Sequence, residues 1–401
     1  MQEIRWKVNT MKPSADENLG IMSVAEGRKA RAFHESFPQY EVTPLTHLPH
    51  MAENLGLKDL YIKDESYRFG LNAFKVLGGS YSMAKFVAQR LGIDVSELNY
   101  DKFVSPELRE QFGQATFFTA TDGNHGRGVA WAAARLGQKA IIFMPKGTTQ
   151  TRLENIQKEG AQVTIEDLNY DDCVRKAVAE AAKVPNGVVV QDTAWDGYED
   201  IPSWIMQGYG TLMLEAIDQL HQVAPTHVFV QAGVGSFAGM VQGMVTAAWG
   251  ENRPKVIVAE ALIADCLYRS ARSKEGDAIA VGGDLQTVMA GLACGEPNPL
   301  GWEVLRNCAT QFVSCQDAVA ALGMRVLGNP AGQDPRVISG ESGAVGLGLL
   351  AAIHFHPQRE ALMHKLKLDS DSVVLVISTE GDTDVKHYRE VVWEGKHPVA
   401  L

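Results

Sequence analysis

The chain has 401 residues, of which 45% are hydrophobic and 21% charged, with 38 glycines and 16 prolines; this composition excludes a disordered or fibrous polypeptide. The formal net charge of −11 and an isoelectric point near 5.5 argue against nucleic-acid or anionic-membrane partners, since both need a basic face. A chain this long is expected to divide its core, as two domains or one large split α/β body.

The N-terminal stretch MQEIRWKVNTMKPSADENLG has no apolar export core, and no run approaches the ~18 apolar residues of a membrane span. A cytoplasmic protein is expected. From there, short β-branched runs alternate with helical stretches. Strands are predicted at 60–63, 115–119, 140–144, 162–166, 187–191, 227–231, 255–259 and 372–377, and helices at 128–136, 171–183 and 209–222. Near-continuous Val/Ile/Phe runs are what strands buried on both faces look like. Their alternation with helices predicts an α/β protein built on open, twisted, mostly parallel sheets with helices on both faces. The most polar stretch, 92–114, reads as an insertion near a domain edge. A small domain over 82–200 is expected, with 1–81 and 201–401 together forming the larger one.

Five cysteines (Cys173, Cys266, Cys294, Cys308, Cys315) show no CxxC and no metal-ligand spacing. Five buried thiols in a reducing compartment are the expectation, with a Cys266–Cys294 pairing left open. His354 and His356, in IHFHPQR, read as a helix end and not as a metal pair.

Three short segments are candidates for chemistry. The first is Asn72-Ala73-Phe74-Lys75, ahead of a helix rich in Ala and Ser. Its lysine is either a solvated charge at a helix start or an amine in an apolar pocket, where desolvation lowers its pKa and frees it for carbonyl chemistry. The second, Ala120-Thr121-Asp122-Gly123-Asn124-His125-Gly126-Arg127-Gly128, runs from a strand end into a helix and has the residues of a tight turn. The third is Gln231-Ala232-Gly233-Val234-Gly235-Ser236-Phe237-Ala238-Gly239. There glycines turn backbone N–H groups inward at a helix N-terminus, which suits a phosphate. The spacing is not GxGxxG, so a monophosphate is favoured over a dinucleotide.

With a fourth segment, Ile377-Ser378-Thr379-Glu380-Gly381-Asp382, these resemble in kind and order the fold-type-II pyridoxal 5'-phosphate enzymes, the tryptophan-synthase-β and threonine-dehydratase group. The longer words TATDGNHGRGVAWAA, VVQDTAWDGY, IPSWIMQGY, GLACGEPNPLGWEVLRNCATQF and STEGDTDVKHYREVVWEGKH are similar to the diaminopropionate ammonia-lyase family, from about residue 40 onward. The resemblance implies a carbon–nitrogen lyase that converts either enantiomer of 2,3-diaminopropionate to pyruvate and ammonia. It implies that Lys75 holds the cofactor as a Schiff base, that Asn124 bonds the ring oxygen, and that Gly233, Val234, Gly235, Ser236 and Phe237 cradle the phosphate. Ser378 or Thr379 meets the pyridine nitrogen; the sequence does not choose between them. Asp122 departs from the small residue found in many relatives and is suited to a substrate β-ammonium. The family assigns Asp122 to the D-form and Asp192 to the L-form, against the alternative of Asp192 as an N-cap or turn residue. His125 is expected to be structural. A homodimer is the family expectation, and the only partner implied is a small amino acid. Two other readings stay open: a serine or threonine dehydratase, and a non-catalytic module that binds a phosphorylated ligand.

Overall fold

Runs such as His-Val-Phe-Val-Gln and Val-Val-Leu-Val-Ile-Ser bury almost every side chain, as strands covered on both faces must. The computed structural model describes residues 4–13 and 19–398. Its strands are β1 (Ile4–Val8), β2 (Leu45–His47), β3 (Asp59–Asp64), β4 (Thr116–Ala120), β5 (Lys139–Met144) and β6 (Gln162–Ile165), followed by β7 (Gly187–Val189), β8 (His227–Gln231), β9 (Lys255–Ala261), β10 (Gln311–Cys315) and β11 (Val373–Ser378). They form a seven-stranded sheet, ordered β1-β10-β9-β8-β11-β3-β2, and a four-stranded sheet, ordered β6-β5-β4-β7. The small sheet is wholly parallel. In the large one only β1 and β2, at the two edges, run antiparallel to their neighbours. The expected α/β class with two mostly parallel sheets is what the chain adopts.

Register sets where the site lies. In the large sheet β11 lies between β3 and β8, pairing Ser378 with Asp64 and Val376 with Phe229, so their carboxyl ends share one edge. In the small sheet β4 lies between β5 and β7. Each candidate segment follows the carboxyl end of a strand: Lys75 after β3, residues 121–128 after β4, Asp192 after β7, Gly233 after β8 and Thr379 after β11. In open α/β sheets that is the edge where ligands bind.

Two helices bring the halves of the site together. Val76–Leu91 begins directly after Lys75, and Asn124–Arg135 begins at Asn124. They touch backbone to backbone: a Cβ on Gly128 would stand 2.8 Å from Val76 Cα, and one on Gly79 would stand 3.2 Å from the Gly128 carbonyl carbon. Glycine at both positions therefore sets the distance between Lys75 and Asn124. Ahead of Lys75, the chain is held by a buried ion network. Arg68 bonds Glu65 and Glu215 at 2.9 and 2.8 Å, and Lys63 bonds Glu215 at 2.8 Å.

Several sequence expectations change. The three strands not anticipated are the two edge strands and β10. The Asp200–Gln219 helix starts nine residues before the expected 209, because Pro202 falls in its first turn, where proline is tolerated. The polar stretch 92–114 folds as short helices capped by Asp94, Asn99 and Ser105. None of the five cysteines is in a disulfide, so the Cys266–Cys294 pairing does not form, and Cys308 is only partly buried. His354 lies in the last turn of Glu341–Phe355 and His356 caps it, as expected of a helix end. Among the described residues no helix is long and apolar enough to cross a membrane.

Candidate active site

Lys75 sits at the N-cap of its helix with its side chain 17% exposed. It is not the solvated charge that a helix start suggests. Nor is its pocket simply apolar: the ammonium is ion-paired with Asp192, while the Phe74 and Tyr209 rings lie 5.6 and 5.8 Å away. Burial pushes the Lys75 pKa down, but Asp192 outweighs it and the amine is held above the usual lysine range. The expected lowering by desolvation is thus overturned in the protein alone, and the cause is the carboxylate. Burial likewise opposes ionisation of Asp192, yet Lys75 and His125 bring its pKa below the normal carboxylate range.

Asp192 is neither exposed nor an N-cap, since the helix after it is capped by Glu199. Its Oδ1 accepts from the Tyr170 hydroxyl at 3.1 Å. Burial, reinforced by Asp192, holds that phenol far above its ordinary pKa, so it remains a donor. The Asp192 carbonyl accepts from Ser236 Oγ and, at 3.2 Å, from Asn298 Nδ2. The residue is therefore fixed through both its side chain and its backbone.

Asp122 shares the crevice with Lys75, Asn124, His125, Tyr170 and Asp192. Its Oδ2 is 3.9 Å from Arg152 Nη1. Asn124 Nδ2 donates to Glu380 Oε2 at 2.7 Å, and Glu380 Oε1 accepts from the backbone N–H of Ser342 at 3.0 Å. Burial and the neighbouring Glu341 raise Glu380 to about 7, so this acid changes charge near neutrality. His125 is buried, which lowers its pKa, and its Nε2 lies 2.8 Å from the Val190 carbonyl.

The glycine segment forms the expected turn. Gly235 has φ +99°, which favours glycine, and it leads into the 14-residue helix Ser236–Trp249 with no side chain capping that end. The helix N-terminus is thus open to an anion. A Cβ on Gly233 would come within 3.0 Å of the Gly291 carbonyl and 3.2 Å of Cys294 Sγ. Opposite, the lysine segment is stitched to the last strand: Phe74 N–H donates to the Thr379 carbonyl at 3.1 Å, and Gly381 N–H to the Asn72 carbonyl at 3.1 Å. Thr379 lines the crevice, its hydroxyl accepting from Gln231 Nε2 at 2.8 Å. The Ser378 hydroxyl is instead spent on Ser339 at 2.8 Å.

The crevice gathers Lys75, Asp122 and Asn124, Asp192, the 233–237 turn and Thr379 from five separate loops, and leaves Ser378 outside its lining. Its lining adds Tyr170 and Glu380, and Arg152 and Asn298 stand behind Asp122 and Asp192; sequence reading singled out none of the four. Glu380 and Asn298 stood inside quoted motifs, but Tyr170 and Arg152 lie outside the segments chosen and act only through tertiary contacts. A primary amine, a glycine turn at an uncapped helix N-terminus and a hydroxyl on the facing wall together fit pyridoxal phosphate. The fold and this donor set define a fold-type-II pyridoxal-phosphate enzyme.

The model of the family described as "Pyridoxal-phosphate dependent enzyme" matches residues 37–379. The chain is 57% identical over 387 residues to a diaminopropionate ammonia-lyase of Escherichia coli (strain K12), covering 96% of this chain and 95% of that one. The crystal structure of the Escherichia coli diaminopropionate ammonia-lyase in complex with D-serine superimposes with a TM-score of 0.93 at 53% identity, covering 100% and 99% of the two chains. The same enzyme with an aminoacrylate–PLP azomethine reaction intermediate gives 0.90 at 53% identity, covering 99% and 98%. The chain belongs to the pyridoxal-phosphate dependent enzymes and, within them, to the diaminopropionate ammonia-lyases.

Proposed function

We propose that this chain removes ammonia from 2,3-diaminopropionate, taking both enantiomers and, with water, yielding pyruvate and two ammonia, with serine as a poor substrate. One observation carries the reading: Lys75, Asp122 and Asp192 line one crevice together with the glycine turn. When bound there, pyridoxal phosphate supplies the electron sink that makes a substrate Cα proton removable.

The chain's own residues have these roles in the proposal. Lys75 provides the amine that holds the cofactor. Asn124 meets its ring oxygen, and the backbone N–H groups of Gly233, Val234, Gly235, Ser236 and Phe237 take its phosphate. Thr379 is preferred over Ser378 at the ring nitrogen, because the Ser378 hydroxyl is already engaged. Asp122 is assigned the Cα proton of the D-substrate and Asp192 that of the L-substrate. Support for Asp192 is its ionised state and its contact with the lysine. Support for Asp122 is a carboxylate on the same crevice, suited to keeping the departing β-amine protonated. The division into a small domain at 82–200 and a large one at 1–81 plus 201–401 belongs to the same reading, with the small sheet lying wholly within 116–189. So does a cytoplasmic homodimer, for which five cysteines outside any disulfide suit a reducing compartment.

The experiment is pyruvate and ammonia release from D- and L-2,3-diaminopropionate beside D- and L-serine. Turnover of both diamino acids above both serines is expected. Faster turnover of serine would make the chain a dehydratase instead.

A further inference from the structure

Arg152 lies outside every segment that the sequence marks for chemistry, yet its guanidinium reaches the crevice wall. Its helix, Gln150–Gln157, is capped by the Thr149 hydroxyl, and its side chain lies over the turn that carries Asp122: a Cβ on Gly123 would stand 3.5 Å from Arg152 Cδ. Nη1 is 3.9 Å from Asp122 Oδ2, and Nη2 is 3.5 Å from Glu341 Oε2. Glu341 also pairs with His387 on its other oxygen. The side chain is only 13% exposed, so solvent screens these charges weakly.

The surroundings are acidic. Asp122, Glu341, Glu380 and Asp384 all act on this one guanidinium. Asp122 and Glu341 in turn both push the Glu380 acid toward its protonated form, while Arg152 opposes them. An Asp122 turned away from the crevice accepts nothing from a substrate.

We propose that Arg152 is a positioning residue for Asp122, fixing the orientation of that carboxylate, with the Glu341–His387 pair bracing the guanidinium. The enantiomer readout rests on Asp122 being the base for the D-substrate; the coupling of Arg152 to Asp122 does not.

The test compares holoenzymes of Arg152→Gln, Arg152→Lys, Asp122→Asn and the Asp122→Asn/Arg152→Gln double variant, with kcat and KM on each enantiomer. Arg152→Gln is expected to lower kcat on the D-substrate about tenfold or more and on the L-substrate less than about threefold, with Arg152→Lys recovering most of the loss. In the Asp122→Asn background the Arg152 change should cost less than about twofold, the mark of two residues acting as a unit. Pyridoxal phosphate affinity, read by fluorescence titration of the apoenzyme, should stay at the wild-type value. The proposal is overturned if Arg152→Gln costs as much in the double variant as alone, if Arg152→Lys rescues nothing, or if cofactor affinity falls with it. Should Asp122→Asn itself not distinguish the enantiomers, the assignment of Asp122 fails separately, and the double variant still decides the role of Arg152.

Discussion

Lys75 and Asp192 form an ion pair across 117 residues of sequence, the amine following β3 of the large sheet and the carboxylate following β7 of the small one. The pair joins the two sheets at the point where the glycine turn, Asn124 and Thr379 converge. It also explains why Asp192 stays ionised although it is buried.

Lys75→Ala is therefore expected to abolish turnover and leave a folded protein. Removing one partner of a buried pair costs roughly 3–5 kcal/mol when the other charge is stranded. The apoenzyme variant should melt below wild type, and adding Asp192→Asn should recover part of that loss. Thermal melts of the three apoenzymes check the pair, and retained turnover in Lys75→Ala would end the role given to the lysine.

The two carboxylates should separate by substrate hand. A positioned general base contributes on the order of 10²–10⁴-fold. Asp122→Asn is expected to lower kcat/KM for the D-substrate by about that range and for the L-substrate much less, with the reverse preference in Asp192→Asn. Asp192→Asn also breaks the lysine pair, so its losses extend to both hands and the ratio is the informative quantity. Equal ratios in the two variants would remove the division of labour.

Thr379 and Ser378 differ in what their hydroxyls already do. A single hydrogen bond contributes about 1 kcal/mol net, or roughly fivefold in affinity. Thr379→Ala should weaken pyridoxal phosphate binding by about that factor, whereas Ser378→Ala, which loses the bond to Ser339, should show its effect in the melting temperature. Titration of both apoenzymes with the cofactor distinguishes them.

Glu380 makes apoenzyme stability depend on pH. Its folded pKa is about 7 against an ordinary 4.5, a raised value, so its stabilising contribution is complete below 4.5 and is lost as pH rises through 7. The full loss is roughly 3 kcal/mol. Glu380→Gln, which mimics the protonated acid, should match wild type near pH 5 and exceed it near pH 8. Denaturant unfolding at the two pH values measures this, and a difference that does not change with pH would contradict it.

The parts of this architecture that sequence reading reached are those encoded locally. Apolar runs marked eight strands, most plainly β4, β8 and β11, because strands covered on both faces need side chains of one kind. The glycine turn at 233–237 was legible for a similar reason: the residue types follow from the backbone conformation, as φ +99° at Gly235 shows. What escaped depends on distant partners. β1 and β2 take their places at the sheet edges by pairing with β10 and β3, and their own residues barely distinguish them from loop. Tyr170 and Arg152 acquire their importance only when the folded chain sets them 3.1 Å from Asp192 and 3.9 Å from Asp122. The apolar pocket foreseen for Lys75 failed on the same ground, since Asp192 arrives from the other sheet.

Borohydride reduction of the holoenzyme, followed by peptide mapping, tests the central claim most directly. A single modified lysine at position 75 is the predicted result. A reduced adduct on any other lysine, or a protein that turns over diaminopropionate and yields no adduct, would contradict the account.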